Sequence, residues 1–349
     1  MAASVAALSA FHAYPSVLAR LTSWDATYYA DITRFGYPEH IVQAGNHLAQ
    51  GGRFAFSPLF PVLTAMVRVF GVDVRWAQVV VAGAAGVGAS VAVHLLAREV
   101  AGNRRAGYIA CALLGALPMA LVLQMGYAES LAIAFGALSL RSTVRRRWWS
   151  AALLALVAGL ARPSGGLVAL AIPVAAWATR RSVSWARVGA ATIVGLAGLP
   201  LFWVYVWVRS GVVDGWFVVQ RVGWHTRLDL GRSTLDFLTG NTGYGNSVMA
   251  VMGFVTFGAY LLACWVALRS GGSRPLFVVS LAALTLTLAS SNFWYSKPRL
   301  LLSAFPLVVL LARPLARLQT RPLVLGIALA VATSAWWGAY ALTRWPYTI

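Results

Sequence analysis

Acids and cysteines are scarce in this chain of 349 residues, which has nine Asp and Glu against 28 Lys and Arg, and two Cys. Cys111 and Cys264 both fall in apolar stretches, where a thiol behaves as a small hydrophobe, so neither a disulfide framework nor a cysteine metal cluster is encoded. The five histidines, His12, His40, His47, His94 and His225, are scattered without paired spacing, and no metal site is expected. No glycine-rich phosphate loop follows a strand pattern, and a soluble nucleotide-binding unit is missing. Any sugar or phosphate donor therefore has to arrive through the membrane. The start, Met1 to Ala19, lacks a charged n-region and a clean small-residue cleavage site, so it reads as a short or incomplete first helix rather than a signal peptide.

What the chain has in quantity is hydrocarbon. Sixty per cent of its residues are hydrophobic and 11% are charged, against roughly 45–50% and 25% in soluble domains. This composition specifies an all-α polytopic membrane protein. A formal charge of +19 would suggest nucleic acid in a soluble chain. Here most arginines sit in short loops between apolar runs and cannot form a continuous groove for a duplex, so nucleic acid is excluded as a partner.

Residues 20–75 are expected to form a large outward loop with interfacial helices, because the polar stretch from Arg20 to Ser57 is followed at 58–70 by an apolar run only about half a span long. Apolar runs then follow at about 76–97, 107–122, 125–140, 150–161, 165–179, 188–208, 246–268, 275–290, 300–312 and 322–343, several of them too short to cross upright. The spacing predicts about 10–11 transmembrane helices in a single domain covering 1–349. Loop 209–245 is a second large outward loop. One alternating set of loops carries Arg98, Arg104, Arg105, Arg141, Arg145, Arg146, Arg147, Arg180, Arg181, Arg187, Arg269, Arg274, Arg313, Arg317 and Arg321 against a single acid, Glu99. By the positive-inside rule that side is cytoplasmic, and residues 20–75 face outward or lumenal.

Polar residues beside such a membrane block need a reason to be there. The stretch from Ser23 to Tyr37 sets Asp25 and Asp31 among Trp24, Tyr28, Tyr29 and Tyr37, which suits an active-site loop; the alternative is an interfacial aromatic belt with solvated acids. Glu129 opens an apolar run at the outward end, where it either pairs with Arg162 and caps a helix or positions an acceptor. Arg162-Pro163-Ser164-Gly165-Gly166 interrupts the run at 150–179, as a tight hairpin or as a break lining a cavity. Lys297 and Arg299, held close by Pro298 and flanked by Trp294 and Tyr295, offer a pair of cations for a lipid phosphate, with Arg162 as the fallback; snorkelling to any anionic headgroup is the alternative.

Four ordered motifs carry a resemblance: Trp24-Asp25 with Tyr29, Ile32 and Gly36-Tyr37; Ala55-Phe56 with Pro58 and Phe60-Pro61; Gly126-Tyr127-Ala128-Glu129-Ser130-Leu131; and Arg162-Pro163-Ser164-Gly165. Together they resemble the PIG-V family of mannosyltransferases, the second mannosyltransferase of glycosylphosphatidylinositol anchor synthesis with its prokaryotic relatives. The family belongs to the polytopic GT-C glycosyltransferases. The resemblance covers roughly the first half of the chain and loosens beyond residue 180. It implies a GT-C-type multi-helix bundle, a polyprenyl-phosphate mannose donor as substrate with no cofactor, and a catalytic acid in the first outward loop, which by position is Asp25. Trp24, Tyr29, Asp31, Glu129, Arg162, Lys297 and Arg299 are the expected substrate-binding residues. The chain departs from the family at Pro163-Ser164-Gly165, where Ser-Asn-Gly is usual, and at Asp31, where relatives are apolar.

The chemistry implied is inverting transfer of mannose to a lipid-linked or glycan acceptor on the extracytoplasmic side, giving an α-mannoside. A polyprenyl phosphate is already a good leaving group, so one carboxylate acting as general base is enough and a carboxyl pair is unnecessary. Membrane lipids, the donor and a glycolipid or glycan acceptor are the expected partners, with a small membrane-protein partner left open. The membrane is the plasma membrane if the chain is prokaryotic. Two alternatives share the same composition: a GT-C enzyme using another polyprenyl-phosphate sugar, and a membrane transporter or flippase. No internal repeat of the transporter kind is visible.

Overall fold

The computed structural model describes residues 16–179, 183–239, 247–291 and 294–345. His12, Arg180 and Arg181, all singled out above, lie outside the described residues. The described chain is almost wholly helical, with one two-stranded antiparallel hairpin, Val42–Ala44 against His47–Gln50.

Helix ends follow local chemistry. The Val74–Ala101 helix begins at Asp73, whose Oδ1 accepts from the Arg75 amide at 2.9 Å. It stops at Gly102, whose φ of 73° is left-handed and least costly in glycine. The Arg104–Ala116 helix starts in the same way, with Asn103 Oδ1 accepting from the Ala106 amide at 2.8 Å.

Three helices, Val74–Ala101, Val248–Arg269 and Thr320–Thr343, are long and apolar enough to cross a membrane. Two bent pairs, Trp185–Leu196 with Gly198–Ser210 at 49° and Lys297–Ala304 with Pro306–Leu315 at 64°, raise the count to five among the described residues. The remaining apolar helices include Trp148–Ala161, Pro163–Ala178 and Arg274–Ala289, each of 10–17 residues. The helices are unequal, several of them too short to cross upright, as the lengths of the apolar runs predict. The runs expected to be continuous at 188–208 and 300–312 bend, the second one at Phe305-Pro306, because proline cannot donate to the preceding turn.

The core is built from small residues. Ala82, Ala85, Ala89 and Ala92 of the Val74–Ala101 helix are buried, as are Ala151, Ala152, Ala155 and Ala158 of the Trp148–Ala161 helix. Alanine lets backbones approach closely, which is how helices associate where water supplies no driving force. One such close approach is at Gly198, where a Cβ would strike the Leu156 carbonyl and lie 3.0 Å from Gly159 backbone atoms. Around this core, Val87, Leu261, Leu262, Leu325 and Leu329 turn outward, an apolar exterior that suits lipid.

On the arginine-rich side, Glu99 is held by Arg141 at 3.0 Å and by Arg145, tying two helices together. The opposite end carries residues 16–75 and the helices Gly215–Gly223 and Arg232–Leu238. The apolar run at 58–70 forms the Leu59–Arg68 helix. It buries Phe60, Pro61 and Thr64 and exposes Val62 and Met66, with Val69 and Phe70 exposed just beyond its end. Segments 20–75 and 209–245 meet through aromatic rings: Tyr28 stacks on Phe56 at 4.9 Å, and Trp224 meets Phe56 edge-on at 5.4 Å.

Candidate active site

Asp25 is the first residue of the Asp25–Phe35 helix. The residue before it, Trp24, has φ 58° and ψ −120°, a conformation that L side chains rarely adopt and that persists only where the surroundings impose it. Those surroundings come from the Gly126–Glu129 motif. The Asp25 amide donates to Tyr127 Oη at 3.3 Å, that hydroxyl donates to Ser23 O at 3.4 Å, and the Gly126 amide donates to Leu21 O at 2.8 Å. Gly126 suits this close packing, since a Cβ there would lie 3.1 Å from Gln78 Cβ and 3.2 Å from Ala26 Cβ and force a neighbour to give.

Four charged side chains alternate in sign from this point inward. Arg299 Nη1 donates to Asp25 Oδ2 at 2.7 Å and Arg299 Nε lies 3.7 Å from Glu129 Oε1, while Arg162 pairs with Glu129 from the other side. The Arg299 guanidinium also sits over the Tyr127 ring, 5.2 Å from its centroid. Glu129 and Arg299 are 4% and 7% exposed, so the quartet is desolvated and holds together because its net charge is zero. Asp25 and Glu129 each sit in the first turn of a helix, where the macrodipole favours an anion.

The interruption after Ala161 is a break lining a cavity and not a surface hairpin. Arg162 takes an extended conformation, φ −149° and ψ 146°, between the Trp148–Ala161 helix and the 3-10 segment Pro163–Leu170. It lines a cavity of about 380 Å³ together with Asp25, Tyr29, Phe56, Ser57, Ser164, Gln220, Trp224 and Arg299. Tyr29 is buried, and burial first of all pushes its phenol above the ordinary range, so it stays a neutral hydroxyl.

Of the residues chosen from the sequence, Asp25, Tyr29, Arg162 and Arg299 share this cavity, and Glu129 stands behind it in the ion-pair chain. Lys297 departs from expectation. The only lysine in the sequence, it is fully buried and absent from the cavity wall, and its Nζ donates to Ser233 Oγ at 3.2 Å, to Ser290 O at 2.9 Å and to Thr234 Oγ1. It fastens the Arg232–Leu238 helix to the end of the Arg274–Ala289 helix and does not form a paired cation with Arg299. Trp24 and Asp31 also stand apart, lining a different cavity on the far side of the Asp25–Phe35 helix.

Sequence reasoning missed two residues here. Tyr127 braces both Asp25 and Arg299, and Ser57 is buried in the cavity wall with its Oγ unpartnered among the described residues. Both lie in or beside the motifs that carried the resemblance, and that position was the available signal.

No family model matches the chain, and no curated protein is matched by its sequence. Solved structures do match in fold. The chain is similar to ArnT from Cupriavidus metallidurans bound to undecaprenyl phosphate, at 18% identity and a TM-score of 0.59, covering 87% of this chain and 58% of that one. The apo state of ArnT gives 18% and 0.58 over 92% of this chain and 59% of that one. The apo oligosaccharyltransferase of Archaeoglobus fulgidus gives 16% and 0.51 over 98% of this chain and 56% of that one. The chain thus spans a little over half the length of the structures it matches. At these identities the likeness is one of fold: this is an all-α integral membrane protein with a GT-C-type bundle.

Proposed function

We propose that the chain is an inverting glycosyltransferase that moves mannose from a polyprenyl-phosphate donor to a hydroxyl of a lipid-linked or glycan acceptor, on the extracytoplasmic face. The observation that carries this reading is the alternating chain Asp25–Arg299–Glu129–Arg162 at the edge of a 380 Å³ cavity in a GT-C-type bundle. The undecaprenyl phosphate bound to ArnT supports a polyprenyl phosphate as the ligand class, and the four ordered motifs support mannose.

In the resting site Arg299 holds the Asp25 carboxylate, its Nη1 donating to Oδ2 at 2.7 Å, so one carboxylate oxygen is already occupied. A donor phosphate entering the cavity competes for Arg299 and Arg162, since guanidinium forks match phosphate oxygens. Asp25 is then released to accept the proton of the acceptor hydroxyl. The hydroxyl oxygen bonds to the anomeric carbon from the side opposite the phosphate, the C1–O bond breaks, and its electron pair leaves on the phosphate, where the arginines stabilise the charge. One displacement inverts the anomeric centre, so a β-linked donor yields an α-mannoside.

Transfer of label from polyprenyl-phosphate mannose to lipid or glycan in membranes containing the protein tests the proposal. Label from a different polyprenyl-phosphate sugar would reassign the hexose. Passage of donor across the bilayer without transfer would replace the enzyme by a carrier.

The side of the membrane is tested separately. Single cysteines at Asn46, in the hairpin, and at Ser142, on the arginine-rich side, should label oppositely with an impermeant maleimide in sealed cells, only the first from outside. The reverse pattern would move the cavity to the cytoplasm.

A further inference from the structure

The Asp25–Phe35 helix is two-faced. At 3.6 residues per turn, Thr27, Asp31 and Arg34 stand on the side opposite Asp25, Tyr29 and Ile32, and that second side closes another cavity of about 380 Å³. Its wall includes Thr22, Ser23, Trp24, Thr27, Asp31 and Gln78.

Hydrogen bonding by the neutral polar side chains of this wall is one-sided. Thr22 Oγ1 donates to Leu18 O at 2.8 Å, Ser23 Oγ to Arg20 O at 2.8 Å and Thr27 Oγ1 to Trp24 O at 2.7 Å. Each hydroxyl has committed its proton to the backbone and keeps only lone pairs for a ligand. Gln78 repeats the pattern: Nε2 donates to Ala26 O at 2.7 Å, and Oε1, on a fully buried side chain, has no partner among the described residues. Asp31 adds a carboxylate that joins no ion pair among the described residues. A wall this rich in acceptors calls for a ligand rich in donors.

Charge narrows the choice. Arg34 and Arg75 line the same cavity, and Arg34 lies 3.9 Å from Asp73, so the acids are balanced and an ammonium group gains little. A polyhydroxylated ring fits instead. Its hydroxyls donate to Asp31, Ser23 and the threonines, its oxygens accept from the arginines, and Trp24 offers an apolar face to its C–H groups. We propose that this cavity is a saccharide-binding site separate from the Asp25 cavity, taking one sugar ring of a free glycan or of a glycolipid headgroup. The inference does not rest on sugar transfer at Asp25, because binding alone tests it.

Purified full-length protein would be dialysed against radiolabelled methyl α-glycosides of glucose, galactose and mannose. In parallel, nanodiscs of phosphatidylcholine doped with the matching monoglycosyl diacylglycerols would be analysed by native mass spectrometry. Saturable binding of at least one probe is expected, weakened about tenfold or more in Asp31→Ala and unchanged in Asp25→Asn. Ala30→Leu, which fills the cavity from a side chain that makes no hydrogen bond, should weaken binding comparably and keeps the test standing if Asp31→Ala does not fold. Binding of a soluble glycoside assigns the site to a free glycan, and binding of the lipid alone assigns it to a headgroup. Saturable binding by neither probe, equal binding by wild type and both cavity variants, or loss of binding in Asp25→Asn would overturn the proposal.

Discussion

Asp25→Asn should lower sugar transfer by about 10²–10⁴-fold, the range expected when a general base is removed, while the protein still inserts and folds. The substitution is nearly isosteric, and an amide oxygen can still accept from Arg299, now 2.7 Å from the carboxylate. What disappears is the proton acceptor. The measurement is turnover at saturating donor and acceptor, with the thermal midpoint as a check on folding. Transfer close to wild type in a well-folded Asp25→Asn protein would exclude Asp25 as the base.

Arg299→Gln should be more damaging still, because it removes the proposed phosphate ligand and leaves Asp25 and Glu129 facing each other with Arg162 alone to balance them. Breaking a buried ion pair by removing one partner costs about 3–5 kcal/mol, so the single variant should melt early. Arg299→Gln with Glu129→Gln restores neutrality and separates the two effects. The double variant should regain much of its thermal midpoint yet keep a donor KM raised by more than tenfold and a low kcat. Lys297→Gln is the contrast, since its hydrogen bonds go to Ser233, Thr234 and Ser290. It should lower the thermal midpoint and leave the donor dependence near wild type. A donor KM that rises in Lys297→Gln and not in the neutral double variant would transfer the phosphate role to Lys297.

That contrast also marks where the sequence could be read and where it could not. Asp25, Glu129 and Arg162 were legible because ionisable residues are rare beside apolar runs and each one has to be explained. Most helix positions were legible for the same reason, while the bend between Leu196 and Gly198 was hidden inside an unbroken apolar run. Lys297 and Arg299 misled because closeness in sequence was taken for closeness in space. Both lie in the short helix Lys297–Leu300, and residues two apart on a helix point to nearly opposite sides. Asp31, six residues beyond Asp25, stands on the other face of the same helix and lines the second cavity. The braces around Asp25 come from Tyr127 and Arg299, 102 and 274 residues away, a separation that no local pattern encodes.

The alanine-built core decides where this protein can yield. A methyl group has no χ rotation to exchange, so helices joined through Ala82, Ala85, Ala89, Ala151, Ala152 and Ala155 have few alternative packings to relax into. Adaptation to a ligand then falls to the aromatic part of the cavity wall, where Phe56 and Trp224, with Tyr28 packed against both, meet as rings on two separate segments and each can swing about its own bonds.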